Sequence, residues 1–509
     1  MKFFIALSFG LLLASCKKPA EETQQIQQIP APEATIEAPA PLTESVVRIN
    51  STSQSWNAGQ PWEKNQPTNL RSLGAVVGPG QVLTTGEMVA DATYLELELP
   101  DGSQNIEAKI IAVDYEANLA LITAKHEEDL ETFFEKTTAL ELATPPSIGD
   151  AMQIFQVEDN GTTLLTFGTL QSVNMGGGFV PKQSFLNYLV KASMQSAASS
   201  FSLPVIKDNK LAGILLSYDS GEQISDVLSI DIISQFLENA TEGSYKGFPS
   251  LGVAVAQTDD PSFRKFLKLT SDQGGIYVSS IKTGGAADKA GIKKGDVILE
   301  ADGHPIDRLG YYQNDHYGSV FWGHLVRGEK ATGEELILKI VRDGEEMNVT
   351  ATLTREEAED NLVPDYQFDR APNFMVKGGL IFQELTRPVL EAFGKEWTAR
   401  APLNLLDAYE NPEKYEEGIE RVIFLSGSIP TPATVGYEPL RSLIVKEVNG
   451  IKIDSMKTLI EAFATPDANN LHSIEFLEEN FTVYLDDTIS NNVDSVLLQR
   501  GLNRLSRAE

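Results

Sequence analysis

The serines and histidines of this chain carry the side chains from which a hydrolytic site could be built. Ser199, Ser200 and Ser202 cluster around Phe201. A serine hydroxyl becomes a nucleophile only when a neighbouring base accepts its proton, and an imidazole is the usual base because its pKa is near neutrality. The chain has five histidines, which are His126, His304, His316, His324 and His472. Only His126 lies in the N-terminal half, and its acidic surroundings at 125–131 predict an exposed loop residue rather than a base.

The composition disfavours metal binding and nucleic-acid binding. His316 and His324 have no cysteine or acidic partner at the spacing usual for a metal site, so we predict packing roles for both histidines and neither a metal nor a cofactor. Asp and Glu number 72 against 41 Lys and Arg, which gives a formal net charge of −31. Such a charge repels phosphate backbones and anionic lipid surfaces. Nucleic acid is therefore excluded as an expected partner.

The N-terminal segment predicts export and lipidation. Residues 1–15 combine an early lysine with an apolar run, which is the pattern of a secretory signal peptide. The letters LASC end at Cys16, the only cysteine of the chain, and resemble a bacterial lipobox. Lipidation of Cys16 explains a lone thiol that has no disulfide partner in the chain; the alternative is an ordinary signal peptide with an incidental cysteine. Residues 16–44 are rich in Pro, Glu, Gln and Ala and predict a disordered tether, so we expect a lipid-anchored lipoprotein of the bacterial envelope, on the periplasmic side.

Short apolar runs separated by Gly, Pro and Asp turns fill residues 45–242. They include Val46–Ile49, Leu119–Ala124, Ala151–Val157 and Leu211–Leu216. Regularly spaced strands of this length are typical of a β-barrel or a β-sandwich. With 509 residues and 42% hydrophobic content, the chain is long enough to fill several cores. We therefore predict a multidomain protein.

Residues 284–306, with the sequence GGAADKAGIKKGDVILEADGHPI, are the most specific motif of the chain. The motif resembles the PDZ domains of HtrA/Deg proteases and implies a first PDZ domain at 247–356. A PDZ domain adds an extended peptide to a sheet edge and holds the terminal carboxylate of that peptide in a nest of backbone N–H groups. The loop that resembles this nest consists of Ser250, Leu251, Gly252 and Val253. We predict that this loop binds peptides with a free, apolar C-terminus, and that each peptide binds weakly.

Residues 45–242 resemble the trypsin-like double barrel of the same HtrA/Deg proteases. In the matching motifs, GQVLTTGEMV places Glu87 at the family's histidine, VDYEANLAL places Asn118 at its aspartate, and SSFSLP places Phe201 at its serine. The resemblance thus implies a catalytic triad that is degenerate at all three positions. A glutamate with a pKa of about 4.3 is a poor base toward a hydroxyl. Ser199, Ser202 and Leu203 also replace glycines of the family's oxyanion hole, where side chains would crowd the N–H donors.

Residues 362–505 resemble the extended second PDZ domain of plant-type Deg proteases. The stretch VKEVNGI repeats the strand and turn of the first domain, and Met456–Phe463 repeats the helix that follows. This domain is associated with assembly in plant-type Deg proteins, so the resemblance implies a homo-oligomer, either a trimer or a hexamer. The alternative is a second peptide-binding domain whose carboxylate loop is Lys377–Leu380.

The predicted fold class is mainly β, with a trypsin-like double β-barrel followed by two PDZ domains of the α+β class. The predicted function is the binding of polypeptides or C-terminal peptides by a catalytically inactive protein, in a chaperone-like or adaptor role in envelope protein quality control. One alternative is an active serine endopeptidase, for which a Ser/Lys dyad with Lys182 or Lys191 stays open. The other is an envelope scaffold with a blocked groove. Fluorophosphonate labelling would favour the enzyme, and a lack of peptide binding would favour the scaffold.

Overall fold

The computed structural model describes residues 40–158, 160–194, 201–241, 245–478 and 482–509. The predicted signal peptide, Cys16 and most of the predicted tether lie outside these residues. Helix α1 (Ala40–Thr43) falls within the predicted tether, and Leu42 is buried in an apolar core. The folded part therefore begins before residue 44, because Leu42 has apolar partners to pack against. Among the described residues, no helix is both long and apolar enough to span a membrane.

The first six strands form a closed barrel in the order β1-β2-β3-β6-β5-β4. Strand β1 pairs with both β2 and β4 and thereby closes the barrel. The strands are β1 (Val46–Ser53), β2 (Thr68–Gly78), β3 (Gln81–Thr84), β4 (Ala92–Glu98), β5 (Asn105–Asp114) and β6 (Leu119–Ala124). Apolar side chains from alternate positions fill the interior, as the strand pattern predicts.

Most of the acidic run after His126 is a helix that was not predicted from the sequence. Helix α2 (Glu127–Phe134) starts directly after His126, with three acidic residues in its first turn. Acidic side chains stabilise the N-terminus of a helix because the helix dipole is positive there. Phe133 is buried and anchors the helix to the first barrel. His126 itself lies outside the helix and its side chain is 53% exposed, which agrees with the prediction of an exposed loop residue.

A second closed barrel follows in the order β10-β11-β12-β9-β8-β7. Its strands are β7 (Ala151–Val157), β8 (Thr163–Gly177), β9 (Ser184–Ala192), β10 (Leu203–Lys207), β11 (Lys210–Asp219) and β12 (Ile224–Ser229), and the helix after them is α3 (Ile230–Thr241). Two six-stranded barrels in succession are the trypsin-like architecture that was predicted. The cleft between the barrels is where the motifs at Glu87, Asn118 and Phe201 should meet.

A mixed α and β unit then packs against the second barrel. Its main sheet has the strand order β13-β14-β15-β19-β20. Its elements are β13 (Val253–Ala256), α4 (Pro261–Phe266), β14 (Ile276–Ile281), α5 (Ala286–Lys289), β15 (Val297–Ala301), β16 (His304–Pro305), β17 (Tyr311–Asn314), β18 (Gly318–Phe321), α6 (Gly323–Arg327), β19 (Glu335–Arg342) and β20 (Glu345–Thr352). The Tyr317 hydroxyl lies 3.0 Å from that of Tyr188 in the second barrel, and both tyrosines donate to the Asp231 carboxylate. This buried junction fixes the unit to the barrel.

The C-terminal unit is built on an eight-stranded sheet whose main order is β27-β26-β24-β23-β22-β21-β28. Its elements are β21 (Phe374–Lys377), β22 (Leu380–Glu384), α7 (Arg387–Glu391), α8 (Trp397–Arg400), α9 (Leu403–Glu410), β23 (Ile423–Ser428), β24 (Leu443–Val448), β25 (Ile451–Lys452), α10 (Met456–Ala462), β26 (Leu471–Phe476), β27 (Thr482–Asp486), α11 (Asp487–Gln499) and β28 (Ser506–Arg507). The unit contacts the first barrel through Trp62, whose ring centroid lies 5.9 Å from that of Phe374.

Candidate functional site

Two of the three degenerate triad positions are adjacent beside the cleft between the barrels. Glu87 lies in a short 3-10 turn, Gly86–Met88, that follows β3, and its backbone N–H donates to Asn118 Oδ1 at 2.9 Å. Asn118 is buried in the turn between β5 and β6, with a left-handed φ of +54°. An asparagine tolerates this conformation better than most residues. The two positions are thus adjacent, but they hold an amide and a carboxylate and no imidazole.

The carboxylate of Glu87 is partly buried, and this burial raises its pKa above the ordinary value. A higher pKa makes the carboxylate a better base. A base nevertheless needs a hydroxyl to act on, so the residues opposite Glu87 decide what the cleft can do.

The third position carries a half-buried phenyl ring instead of a nucleophile. Phe201 packs against the apolar core of the first barrel. Its carbonyl oxygen accepts a hydrogen bond from Ser72 Oγ at 2.7 Å, which ties the chain before β10 to β2. Phe201 therefore contributes to the contact between the barrels and offers no group that could attack a carbonyl carbon.

The Ser202 hydroxyl braces the two barrels from a buried position. It lies 2.8 Å from Thr84 Oγ1 and accepts a hydrogen bond from Thr85 N at 3.2 Å. Ser202 is 1% exposed and has a φ of +53°, a conformation that glycine adopts without strain. A hydroxyl that is buried and already bonded is a poor candidate for a nucleophile. Ser199 and Ser200, the other two serines of the cluster, lie outside the described residues.

The two lysines of the alternative dyad have partners elsewhere. Lys182 Nζ lies 3.4 Å from Asp365 Oδ1 and 3.9 Å from the ring centroid of Tyr409. The ammonium of Lys191 donates to the carbonyl oxygen of Glu222. Neither contact is with Ser202, so the geometry gives no support to a Ser/Lys dyad at that hydroxyl.

A segment that precedes the C-terminal unit covers the turn next to Asn118. The Phe368 ring lies between those of Tyr115 and Phe179, with centroid distances of 4.8 and 4.9 Å. The backbone N–H of Asp369 donates to the Asp91 carboxylate, and the Asp91 N–H donates to the Asp369 carboxylate, both at 2.9 Å. The Tyr115 hydroxyl also donates to Asp369. These contacts hold the segment over the loops that flank the cleft.

The other four histidines contact groups of the protein; His324 is buried, as its predicted packing role requires, whereas His316 is exposed. His316 Nε2 lies 3.1 Å from the carbonyl oxygen of Pro146, and His324 Nδ1 lies 2.6 Å from the Tyr312 hydroxyl. Burial lowers the pKa of His324, which favours the neutral imidazole. His472 pairs with Asp487 at 2.9 Å. Within the described ranges, no group of three or more His, Cys, Asp or Glu side chains is arranged to hold a metal ion.

The loop predicted to hold a peptide carboxylate lies at the start of the edge strand β13. Gly252 has a φ of +74°, and its N–H donates to Ser250 Oγ at 3.0 Å. The Gly252 carbonyl oxygen accepts from Lys282 N at 2.9 Å, and that of Leu251 accepts from Ala287 N at 2.8 Å. These bonds fix the loop against β14 and α5. Gly252 fits because only a glycine adopts this φ at no steric cost.

The outer edge of β13 is available for strand addition. The strand is the last member of its sheet, and no other strand in the described part of the chain pairs with that edge. Val253 pairs with Ile281 next to the hydrogen bond from Lys282 N to Gly252 O. Because hydrogen-bonded and non-hydrogen-bonded pairs alternate in an antiparallel ladder, Val253 turns its N–H and C=O outward. An extended peptide could bond to these groups.

The corresponding loop of the C-terminal unit is closed. Lys377 pairs with Leu380 across a tight β21–β22 turn, and the Gly378 N–H donates to Asp494 Oδ1 at 2.7 Å. Strand β22 pairs with β21 on one side and β23 on the other, which leaves no free edge beside the loop. The alternative of a second carboxylate loop at Lys377–Leu380 was therefore wrong, because Asp494 and β21 occupy the positions that a ligand would need.

The sequence analysis missed three carboxylates that shape these sites. They are Asp369 over the cleft, Asp494 in the C-terminal loop, and Glu356, whose Oε2 lies 3.6 Å from Lys282 Nζ beside Gly252. Each of these residues is far in the sequence from the group it contacts. The only signal in the sequence was the acidic character of the link at 356–361.

The PDZ family models and the sequence relatives agree with this architecture. One model of the PDZ domain matches residues 249–353, and another matches residues 363–501. Protease Do-like 4, mitochondrial, from Arabidopsis thaliana is 25% identical, and the match covers 91% of this chain and 84% of that protein. Periplasmic serine endoprotease DegP from Escherichia coli (strain K12) is 24% identical over 69% of this chain and 78% of its own length. Among solved structures, HtrA-type protease AlgW with decapeptide aligns with 62% of this chain and 97% of its own, at 18% identity and a TM-score of 0.46.

Proposed function

We propose that this chain, which belongs to the HtrA/Deg family and is a PDZ-containing protein of the serine protease type, binds polypeptides without cleaving them. Its role would be that of a chaperone-like or adaptor protein in the bacterial cell envelope. The relative named periplasmic supports this location.

The observation that carries the proposal is the packing of Phe201 and Ser202 in the cleft. The phenyl ring of Phe201 lies against the core of the first barrel, and the neighbouring hydroxyl of Ser202 is bonded to Thr84 and Thr85. Hydrolysis by a serine enzyme requires a free hydroxyl next to a base. The described residues of the cleft supply neither a histidine nor a free serine, and the segment with Phe368 covers the adjacent turn.

The second part of the proposal is that peptides bind at β13. A bound segment would pair with the outward N–H and C=O of Val253 and place its end at Ser250–Gly252. Main-chain hydrogen bonds give such a site affinity for many sequences, and the few side-chain contacts keep each single interaction weak, in the micromolar order. A weak and tolerant site suits a protein that binds unfolded or C-terminally exposed chains.

Three measurements on the same purified protein test the proposal. A screen of labelled C-terminal peptides by fluorescence anisotropy should find saturable binding. Incubation with casein should leave the substrate intact, and a fluorophosphonate should not label the protein. The relatives named as proteases make an active endopeptidase the second candidate. Inhibitor-sensitive casein hydrolysis would establish the endopeptidase and overturn the proposal.

Membrane anchoring through Cys16 and assembly into a trimer or hexamer complete the proposed function. Replacement of Cys16 by serine should release the protein from the membrane fraction. Removal of residues 362–509 should lower the number of subunits, obtained as the light-scattering mass divided by the chain mass, if the C-terminal unit mediates assembly. Equal subunit numbers for the full and truncated proteins would contradict the assembly role.

A further inference from the structure

A carboxylate of the chain itself lies against the peptide-binding loop. A β-carbon built on Gly252 would come within 2.6 Å of Glu356 Oε1, and one built on Gly285 would come within 3.4 Å of the same oxygen. The chain reaches this position because Thr354 pairs with Ser250 through the Ser250 N to Thr354 O bond of 2.8 Å. Glu356 follows two residues later and places its side chain over the glycines of the loop.

The position of this carboxylate is electrostatically costly. Glu356 Oε1 is buried, and no described residue donates a hydrogen bond to it. The nearest cation is Lys282, whose Nζ lies 3.6 Å from Glu356 Oε2, and this lysine is 30% exposed. A buried acceptor without a donor loses the hydration it had in water and gains no partner in return. The loop therefore holds a negative charge that is only partly compensated.

A peptide with a free C-terminus would bring a second negative charge to the same place. Its terminal carboxylate would approach the loop at Gly252, where the Glu356 carboxylate already lies. Two like charges a few ångströms apart in a partly desolvated site repel each other. A peptide that ends in a carboxamide, or that continues past the loop as an internal segment, carries no such charge and can donate an N–H to the unpaired oxygen.

We propose that Glu356 sets the ligand class of the first PDZ domain by competing with the C-terminal carboxylate of a peptide for the Gly252 loop. This inference rests on the proposed function, because it presupposes that peptides bind at β13. In the native protein the site accepts internal or amidated segments at least as well as free C-termini. Selection for free C-termini, which the glycine loop alone predicts, is suppressed by a residue of the same domain.

The test compares two forms of one peptide on three proteins. The probe is a fluorescently labelled ten-residue peptide ending in valine, made with a free carboxylate and with a carboxamide. The proteins are the full chain, Glu356→Gln and Glu345→Gln. Glu345 is an exposed glutamate on β20 of the same domain, so its replacement changes the net charge by the same amount away from the loop. Dissociation constants from anisotropy give the ratio of amide to acid affinity for each protein.

We expect Glu356→Gln to shift this ratio about ten-fold in favour of the acid, which corresponds to about 1.4 kcal/mol. Glu345→Gln should leave the ratio unchanged. Glu356→Ala serves as a second variant, and thermal unfolding checks that each protein is folded. Equal ratios in the full chain and both Glu356 variants would overturn the inference while leaving peptide binding in place. An equal shift in Glu345→Gln would also overturn it, and absence of binding by every protein and both peptides would overturn the proposed function itself.

Discussion

The cleft between the barrels and the edge of the first PDZ domain differ in how their polar groups are used. In the cleft, the Ser202 hydroxyl and the Thr85 N–H are bonded to each other inside the protein. At the PDZ edge, the N–H and C=O of Val253 point away from the sheet and have no strand to pair with in the described part of the chain. Groups that are already satisfied stabilise the fold, whereas unpaired groups at an accessible edge are available to a ligand.

This difference separates a cleft whose Ser202 hydroxyl is bonded within the protein from a sheet edge with unpaired groups among the described residues. In the cleft, Glu87 and Asn118 are adjacent, and the bonds of Ser72 and Thr84 to the chain at 201–202 join the two barrels. The PDZ edge keeps both its geometry and its free groups. We therefore propose a structural role for the cleft and a binding role for the edge.

The largest effect at stake is hydrolytic activity in the cleft, which we expect to stay absent or nearly absent when only the triad positions are restored. Phe201→Ser alone should give no hydrolysis of casein, because triad residues act as a unit. The combination of Glu87→His, Asn118→Asp and Phe201→Ser should still be nearly inactive, since the loss of one oxyanion donor costs roughly 100- to 1,000-fold in rate. The same variant with glycine also at positions 199, 202 and 203 tests, by casein hydrolysis, whether the barrels are a protease scaffold. Casein hydrolysis by Phe201→Ser alone would show that the cleft can catalyse and does more than join the barrels.

The next effect concerns stability. Ser202→Val should lower the free energy of unfolding by about 3–5 kcal/mol, because it leaves two buried polar groups unpaired and places a β-branched residue at positive φ. Ser193→Val, at an exposed position just after β9, is the matched control and should change stability by less than about 0.5 kcal/mol. Chemical denaturation of both variants measures the difference. Similar values for the two would mean that Ser202 does not brace the barrels.

The loop at the PDZ edge should respond in peptide binding beyond the stability loss that any side chain at a positive φ causes. Gly252→Leu should weaken peptide binding by about 100-fold, or about 2.7 kcal/mol, because the side chain would collide with Glu356 and distort the loop. Gly303→Leu is the control, since Gly303 also has a positive φ of +80° but has no atom near its β position. Anisotropy titrations measure the peptide affinities of both variants. Normal binding by Gly252→Leu would place the peptide site elsewhere.

The smallest effect concerns the junction between the cleft and the PDZ domain. Burial raises the pKa of Glu116 to about 7, and the nearby Arg327 guanidinium opposes this increase. The folded state therefore binds a proton more tightly than the unfolded state, and the stability from this proton is lost as the pH rises from about 4.5 to 7. Relative to Glu116→Gln, the native protein should lose on the order of 1–3 kcal/mol over this range. Parallel curves for the two proteins would exclude a titrating Glu116.

Much of the fold was predictable because it depends on local patterns. Alternating apolar residues gave the strands of both barrels, and β6 and β7 end where the patterns predict. Helix α2 was missed because an acidic run is typical both of exposed loops and of a helix N-terminus. The candidate site was harder to predict because the contacts that shape it join residues far apart in the sequence. Ser202 and Thr84 are 118 positions apart, and Gly378 and Asp494 are 116 apart, so no local pattern reveals that one satisfies the other.

The central claim is that this protein holds polypeptides without cutting them. The most direct test titrates the full chain with a labelled casein-derived peptide by anisotropy and then determines the mass of the peptide recovered from the same sample. We expect saturable binding in the micromolar range and a peptide of unchanged mass. Shorter fragments whose formation is blocked by a serine-directed inhibitor would contradict the claim.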